Sequence, residues 1–210
     1  MLQYTAVIPA TLELLKHLML KKSLADFNLV GGTSLALQLG HRLSVDLDFF
    51  TLNDFETIEI VTELQNELRF DIVQQKQNSL ILNVEYPTNS NLFIKVDILK
   101  YPYPLINSII EIDGIRLLSI EDIIPMKLSA IANRGAKKDF YDIYFLLNSM
   151  SIKEMLNLFS MKFPNINHFH LLKSLTFFDD ANEDANPKVF TKVSWEQVKT
   201  KIEKTVNILL

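Results

Sequence analysis

The periodicity of the chain changes once, at Ser119, and that change limits the architectures open to it. Before it, short apolar runs that alternate at period two are interleaved with helical stretches and separated by turn residues. After it, apolar residues recur at three-to-four spacing almost to the end of the chain. Strands gathered in one stretch and helices in another predict an α+β fold, not a repeating βαβ one. The expected division is a mixed sheet with flanking helices over residues 1–118 and a helical bundle packed on it over residues 119–210. At 210 residues the chain suits one large domain or two small joined ones, and it can bury about 70% of its unfolded surface without a staple.

Residues 9–24 read as a helix and residues 26–30 as a short strand that stops at Gly31-Gly32. A helix over 33–39 is closed by Gly40, where a left-handed residue ends a helix well. Residues 44–50 alternate, with Val45, Leu47 and Phe49 on one face and Ser44, Asp46, Asp48 and Phe50 on the other. A helix is expected over 54–68, capped by Asn53 or Asp54, then strands over 70–76, 80–86, 92–99 and 112–118. Ser119-Ile120-Glu121-Asp122 resembles a helix start, and Pro125 predicts a late start or a kink. The polar run 179–187 reads as a loop before a last amphipathic helix over 195–209.

Composition narrows the function classes. With 48% apolar residues, 14 Phe and 6 Tyr, general disorder is excluded. The absence of cysteine excludes disulfides, thiolate metal sites and a cysteine nucleophile. No leader-like segment and no stretch long enough to span a bilayer is legible, so a cytoplasmic, membrane-free protein is expected. A net charge of −4 excludes nucleic-acid binding by bulk charge, leaving only a local basic patch. One such stretch lies between residues 188 and 210, where Lys188, Lys192, Lys199, Lys201 and Lys204 outweigh Glu196 and Glu203; a solvated helix face is its plainer explanation.

Three patterns carry chemistry. In Gly31-Gly32-Thr33-Ser34 glycines stand between a strand and a helix, so main-chain N–H groups and the helix N-terminus can cradle a phosphate; a tight turn is the simpler reading. In Asp46-Leu47-Asp48, carboxylates two apart on a strand lie about 6.6 Å apart on one face. They repel and raise each other's pKa unless a cation stands between them. Oxygen ligands of this kind suit Mg2+ or Mn2+, although a solvated strand edge can also carry two Asp. The third pattern is Phe93-Ile94-Lys95-Val96-Asp97-Ile98-Leu99, where an acid again interrupts an apolar strand. Beside the Asp46/Asp48 strand it completes a three-carboxylate site of the two-metal type; otherwise Lys95 and Asp97 are a surface pair of little energetic value.

In the helical part, Lys127 and Arg134 fall seven residues apart on one face and Lys137-Lys138-Asp139-Phe140-Tyr141-Asp142 comes next. These cations could clamp a triphosphate, Arg as a fork and Lys as a point charge. Arginine is scarce, four against 17 lysines, and Arg42 and Arg134 flank these clusters. His41, next to Arg42, could touch a substrate, whereas His168 and His170 read as packing or surface residues.

Taken together, Gly31-Gly32-Thr33, twelve intervening residues and Asp46-x-Asp48 resemble the signature of the nucleotidyltransferase superfold shared with DNA polymerase β. The longer string from Gly31 to Phe50, with Lys127, Arg134 and Lys138-Asp139-Phe140-Tyr141-Asp142, resembles the AbiEii/AbiGii toxins of abortive-infection toxin–antitoxin pairs. The likeness spans about residues 28–148, and the chain is short for that family, which implies a reduced C-terminal region. The resemblance implies that Gly31, Gly32, Thr33 and Ser34 hold nucleotide phosphates and that Asp46 and Asp48 bind metal. Asp97 would be the third carboxylate, as ligand or base. It implies further that Lys127 contacts the triphosphate, that Asp139 orients Lys127 or the nucleotide, and that Arg134 and Asp142 support them.

The activity implied by the resemblance is a metal-dependent transfer of an NMP from an NTP to an acceptor hydroxyl, on a tRNA 3′ end or a protein, by a toxin with a cognate antitoxin. The alternatives are a small-molecule nucleotidyltransferase of the antibiotic-modifying type and a domain that binds nucleotide or antitoxin without turnover.

Overall fold

A computed structural model describes residues 1–166 and 168–209; Asn167 and Leu210, the last residue of the basic stretch, lie outside the described residues. The chain divides into two compact units. The first comprises Met1–Gly40, Ser44–Pro104 and Ser108–Leu118, the second His41–Leu43, Leu105–Asn107 and Ser119–Leu210. Two short segments from the strand-rich part of the chain therefore count with the second unit.

In the first unit, α1 (Pro9–Met19), β1 (Asn28–Val30), α2 (Gly31–Leu39), β2 (Leu47–Thr51) and α3 (Thr57–Leu64) are followed by five strands. These are β3 (Arg69–Lys76), β4 (Ser79–Glu85), β5 (Phe93–Lys100), β6 (Ile110–Ile112) and β7 (Ile115–Leu117). All belong to one sheet of order β3-β4-β5-β2-β1-β7-β6. It is mixed, because β2 runs parallel to β5 and β1 parallel to β7, while the other neighbours are antiparallel. Alternation turns Leu47, Phe49, Leu80, Leu82, Val84, Val96 and Ile98 into one core with Leu14, Leu15 and Leu18 of α1 and Ile60 and Leu64 of α3. The period-two pattern thus places Asp48 and Asp97 on the opposite face of the same strands.

Several boundaries differ from the expectations, each for a local reason. Helix α1 stops at Met19 and a 3-10 turn takes over at Lys22–Leu24, where Glu63 accepts the main-chain N–H groups of Lys22 and Ser23 at 3.0 and 2.8 Å. Helix α3 begins at Thr57, not at 54. Asn78, in the β3–β4 turn, accepts the Phe55 N–H at 2.8 Å and donates to Asp54 at 2.6 Å, so residues 54 and 55 are tied to the hairpin instead of winding.

The second unit holds α4 (Ile120–Arg134), α5 (Lys137–Leu146), α6 (Ile152–Lys162), α7 (His168–Leu175), α8 (Asp179–Glu183) and α9 (Trp195–Asn207). Helix α4 starts early and runs through Pro125. The Ser119 hydroxyl caps it by accepting the Asp122 N–H, and a proline in the second turn removes only one intrahelical donor. The polar run after Phe178 contains α8, not an open loop. Asp184, just beyond it, accepts the Lys137 N–H at 2.9 Å and tethers the segment. The core gathers Ile124, Leu128, Phe140, Ile143, Met155, Phe159, Leu175, Val198 and Ile202, with Trp195 stacked at 5.9 Å on Tyr141. Among the described residues no helix is long and apolar enough to cross a membrane.

Candidate active site

Strand β1 lies antiparallel to β2 with Val30 opposite Asp48, so the residue after Val30 falls against that carboxylate. That residue is Gly31, at φ +67°, and a Cβ built there would overlap the Asp48 carboxylate, with Cγ 3.0 Å away. Only glycine meets both demands, a left-handed backbone and a main chain in contact with an acid. Helix α2 begins at this glycine, so its first N–H groups and its positive end lie beside Asp48. Thr33 and Ser34 are buried. The Thr33 hydroxyl bonds the Ser44 hydroxyl at 2.9 Å and donates to the Asp46 carbonyl, while the Ser34 hydroxyl accepts from Gln38 at 3.2 Å. Thr33 therefore ties the start of α2 to the entry to β2, while Ser34 bonds within α2.

On the other side of β2, the parallel register sets Asp97 directly beside Asp48. Asp46 stands just before β2 and is half-buried. Lys95, two residues before Asp97 on β5, reaches its Oδ2 at 2.5 Å. Its other oxygen, Oδ1, is buried and lacks a hydrogen-bond partner. A buried carboxylate oxygen without a donor is costly, and a hard cation bound by oxygen atoms would satisfy it. Among the described residues no three His, Asp or Glu side chains form a ready metal cage. The donor chemistry fits a divalent cation, and Lys95 occupies part of the space around Asp97.

The second unit brings a different set together. Lys127 of α4 is buried and bonds Asp139 at 2.9 Å and Asp142 at 2.6 Å. Arg134, at the end of α4, grips Asp139 through Nε at 2.9 Å and remains mostly exposed. Asp142 is fully buried and also takes Arg42 in a two-point contact, Nε at 2.6 Å and Nη2 at 3.0 Å, and His41 Nε2 at 2.7 Å. Burial opposes ionisation of Asp142, yet the Lys127 and Arg42 cations beside it, with hydrogen bonds from His41 and Arg42, hold its carboxyl well below the usual range. Burial likewise opposes the charge on Lys127, and Asp142 and Asp139 raise its pKa in spite of it. The segment His41–Leu43 is fastened here, by Asp142 and by main-chain bonds of Leu43 to Lys188 and of Phe190 to His41. In the basic stretch, Lys199 bonds Glu196 at 2.7 Å and Lys201 bonds Asn148 at 2.6 Å over the Tyr144 ring.

The family described as "Nucleotidyl transferase AbiEii toxin, Type IV TA system" matches residues 13–207. The chain belongs to the AbiEii family. The match extends on both sides of residues 28–148, where the sequence motifs lie. An uncharacterized protein of Aquifex aeolicus (strain VF5) is 35% identical over 179 residues, 82% of each chain. Among solved structures, JHP933 from Helicobacter pylori superposes with TM-score 0.59 at 22% identity, covering 100% of this chain and 93% of its own. MenT4, a nucleotidyltransferase toxin from Mycobacterium tuberculosis H37Rv, does so with TM-score 0.53 at 14% identity, covering 91% and 81%. At these identities the structures share the fold. The family defines the chemistry, and this AbiEii chain is a nucleotidyltransferase of a toxin family.

Within this AbiEii protein, the sequence motifs divide between the units. Gly31, Gly32, Thr33, Ser34, Asp46, Asp48 and Asp97 lie in the first, Lys127, Arg134, Asp139 and Asp142 in the second. The tie of His41 and Arg42 to Asp142 was not legible, because the partners are about a hundred positions apart in sequence. Nor was the buried pair of Lys162 with Asp122 at 2.8 Å. A lysine inside an otherwise apolar helix stripe is the only trace such a pair leaves.

Proposed function

We propose that this AbiEii protein moves an NMP from an NTP to an acceptor hydroxyl, on a tRNA 3′ end or a protein side chain, as a toxin restrained by a cognate antitoxin. The observation that carries the reading is the juxtaposition of Gly31, Asp48 and Asp97. A main chain without side chain touches one carboxylate, and a second carboxylate lies in register beside it.

In this reading the amides at Gly31 and Gly32, at the positive end of α2, bind and orient the donor's phosphates. Asp46, Asp48 and Asp97 would hold Mg2+ or Mn2+. When bound, such an ion supplies positive charge to the phosphate oxygens and lowers the barrier to attack. The acceptor oxygen forms a bond to the α-phosphorus, the bond from that phosphorus to the bridging oxygen of the β-phosphate breaks, and pyrophosphate leaves with the electron pair. The hydroxyl proton passes to Asp97 or to water. Rate enhancement comes from positioning and fixed charge.

Lys127 would act through Asp139 and Asp142, since its ammonium already bonds both. Arg134, whose guanidinium is mostly exposed while held by Asp139, is the group of this cluster best placed to meet a phosphate.

The test is label transfer from each of the four NTPs carrying an α-phosphate label, with Mg2+ or Mn2+, with and without total tRNA, beside Asp48→Ala. Label on tRNA or on a protein, absent with the variant, supports the reading and names the donor. Turnover confined to small-molecule acceptors, or NTP binding without any transfer, overturns it.

A further inference from the structure

One of the chain's own cations already sits on a candidate metal ligand. Lys95 and Asp97 are two residues apart on β5 and share one face of the sheet. Lys95 Nζ lies 2.5 Å from Asp97 Oδ2. Between them Val96 pairs with Leu47, the residue that separates Asp46 from Asp48, and Asp97 pairs with Asp48. The ammonium is therefore bound at the strand positions where the three acids gather. On the other side, the β4 residues level with Lys95 and Asp97 are Asn83 and Ile81, so that strand brings no charge to the pair. The two oxygens of Asp97 differ: Oδ2 takes the ammonium, while Oδ1 is buried without a hydrogen-bond partner. The Asp97 side chain is 16% exposed and that of Lys95 47%. The acid is fixed in the sheet, whereas the cation is half in solvent on a flexible four-carbon stem that swings aside without moving β5. A pair this exposed is weak, so parting it costs little.

We propose that Lys95 is the resident counter-ion of the carboxylate site: its ammonium holds Asp97 in the metal-free protein and has to leave Oδ2 for a divalent cation to bind there. This rests on the reading of Asp46, Asp48 and Asp97 as metal ligands in nucleotidyl transfer. In the metal-free protein the ammonium offsets part of the repulsion between Asp48 and Asp97. Toward an incoming cation it is a like charge competing for the same oxygen, so it weakens binding by the worth of the contact it gives up. Lys95 thus acts through Asp97, as a positioning residue that sets how readily the site loads.

The experiment titrates Mn2+ into wild-type protein, Lys95→Met, Lys95→Gln, Lys95→Arg and the double variant Lys95→Met/Asp97→Asn, following free Mn2+ by electron paramagnetic resonance. Thermal melts without metal run beside it. The Met and Gln variants remove the charge and keep most of the stem. They are expected to bind Mn2+ about three- to fivefold more tightly, the worth of one half-exposed ion pair, and to melt no higher than wild type without metal. Lys95→Arg keeps the charge and can grip the carboxylate at two points, so it binds Mn2+ no more tightly than wild type. The double variant loses the tightened binding, which assigns that binding to Asp97. Unchanged or weaker Mn2+ affinity in the two neutral variants overturns the proposal. So does equal tightening in Lys95→Arg, which traces the effect to packing, or a metal-free melt of the neutral variants above wild type. Mn2+ binding that is absent from wild type and neutral variants, or indifferent to Asp97→Asn, overturns the proposal together with the metal-ligand reading. Because binding is read without turnover, tighter Mn2+ binding in a protein that transfers no label overturns the transfer reading and leaves the role of Lys95 standing.

Discussion

Asp97 stands in register with Asp48 across the parallel pairing of β5 and β2, and one of its oxygens is buried without a hydrogen-bond partner. Two neighbouring carboxylates repel, and the single Lys95 ammonium on Asp97 is one positive charge against two negative ones. The pair is therefore expected to matter for chemistry more than for stability. Asp48→Ala and Asp97→Asn should each lower transfer by at least about 10²- to 10³-fold, the scale of a lost transition-state contact. The melting temperature without metal should hold or rise. Initial-rate assays and thermal melts on the same preparations check both halves; a large drop in melting temperature would place the pair among the structural groups instead.

A bound divalent ion that prefers the folded site must stabilise it. Mg2+ or Mn2+ at a hundred times its dissociation constant is expected to add about 2.7 kcal/mol, read as a rise in melting temperature that Asp48→Ala removes. An equal rise in wild type and variant would mean that the ion binds elsewhere.

Gly31→Ala puts a Cβ into the Asp48 carboxylate and forces an L-residue to φ +67°. The backbone alone is expected to cost about 1–2 kcal/mol, or roughly 2–8 °C in a chain of this length. Transfer should fall further than stability, because Asp48 has to move. Circular dichroism melts paired with kcat give the comparison.

In the second unit, Asp142 neutralises Lys127 and Arg42 at full burial. Asp142→Ala takes the carboxylate from Arg42 and one of two from Lys127 and is expected to cost about 3–5 kcal/mol, whereas Lys127→Met, which leaves Arg42 on Asp142 and Arg134 on Asp139, should cost less. Chemical denaturation of both variants orders them; the reverse order would mean that Lys127, not Asp142, is the hub.

The same group governs acid stability. The folded Asp142 carboxyl is held well below its ordinary value, so its contribution is complete above about pH 3.9, the value in an unfolded chain. It is lost as pH falls from there through the folded pKa. Asp122 adds to the same arm: burial opposes its charge, but Lys162 and the Ile106 and Asn107 amides lower its pKa. Lys127 has the opposite sign, because its raised pKa adds stability that is complete below about pH 10.4 and lost as pH rises through the folded value. Denaturation midpoints from pH 2 to 8 should fall steeply only below about pH 4, and Asp142→Asn should flatten that fall.

Much of this was readable in one dimension. The period-two runs fall on strands, and Gly31, where α2 begins, marks a turn where a side chain has no room. Two acids interrupting apolar strands stood out because local preference disfavours them there. Local rules also found the cap at Ser119 and the left-handed close at Gly40. They misplaced the start of α3, because a turn residue, Asn78, holds Phe55 from more than twenty positions away.

By itself the sequence determined which residues carry charge on otherwise apolar elements, and hence the candidate carboxylates, the glycine turn and the cations of α4 and α5. Those preferences act between near neighbours along the chain. Only the tertiary structure decided that β5 lies beside β2 with Asp97 level with Asp48. The same holds for Lys127, which is spent on Asp139 and Asp142, and for Arg42, which is fastened to Asp142. Strand order and buried ion pairing are set by which distant surfaces exclude water together, and that free energy depends on the packed whole.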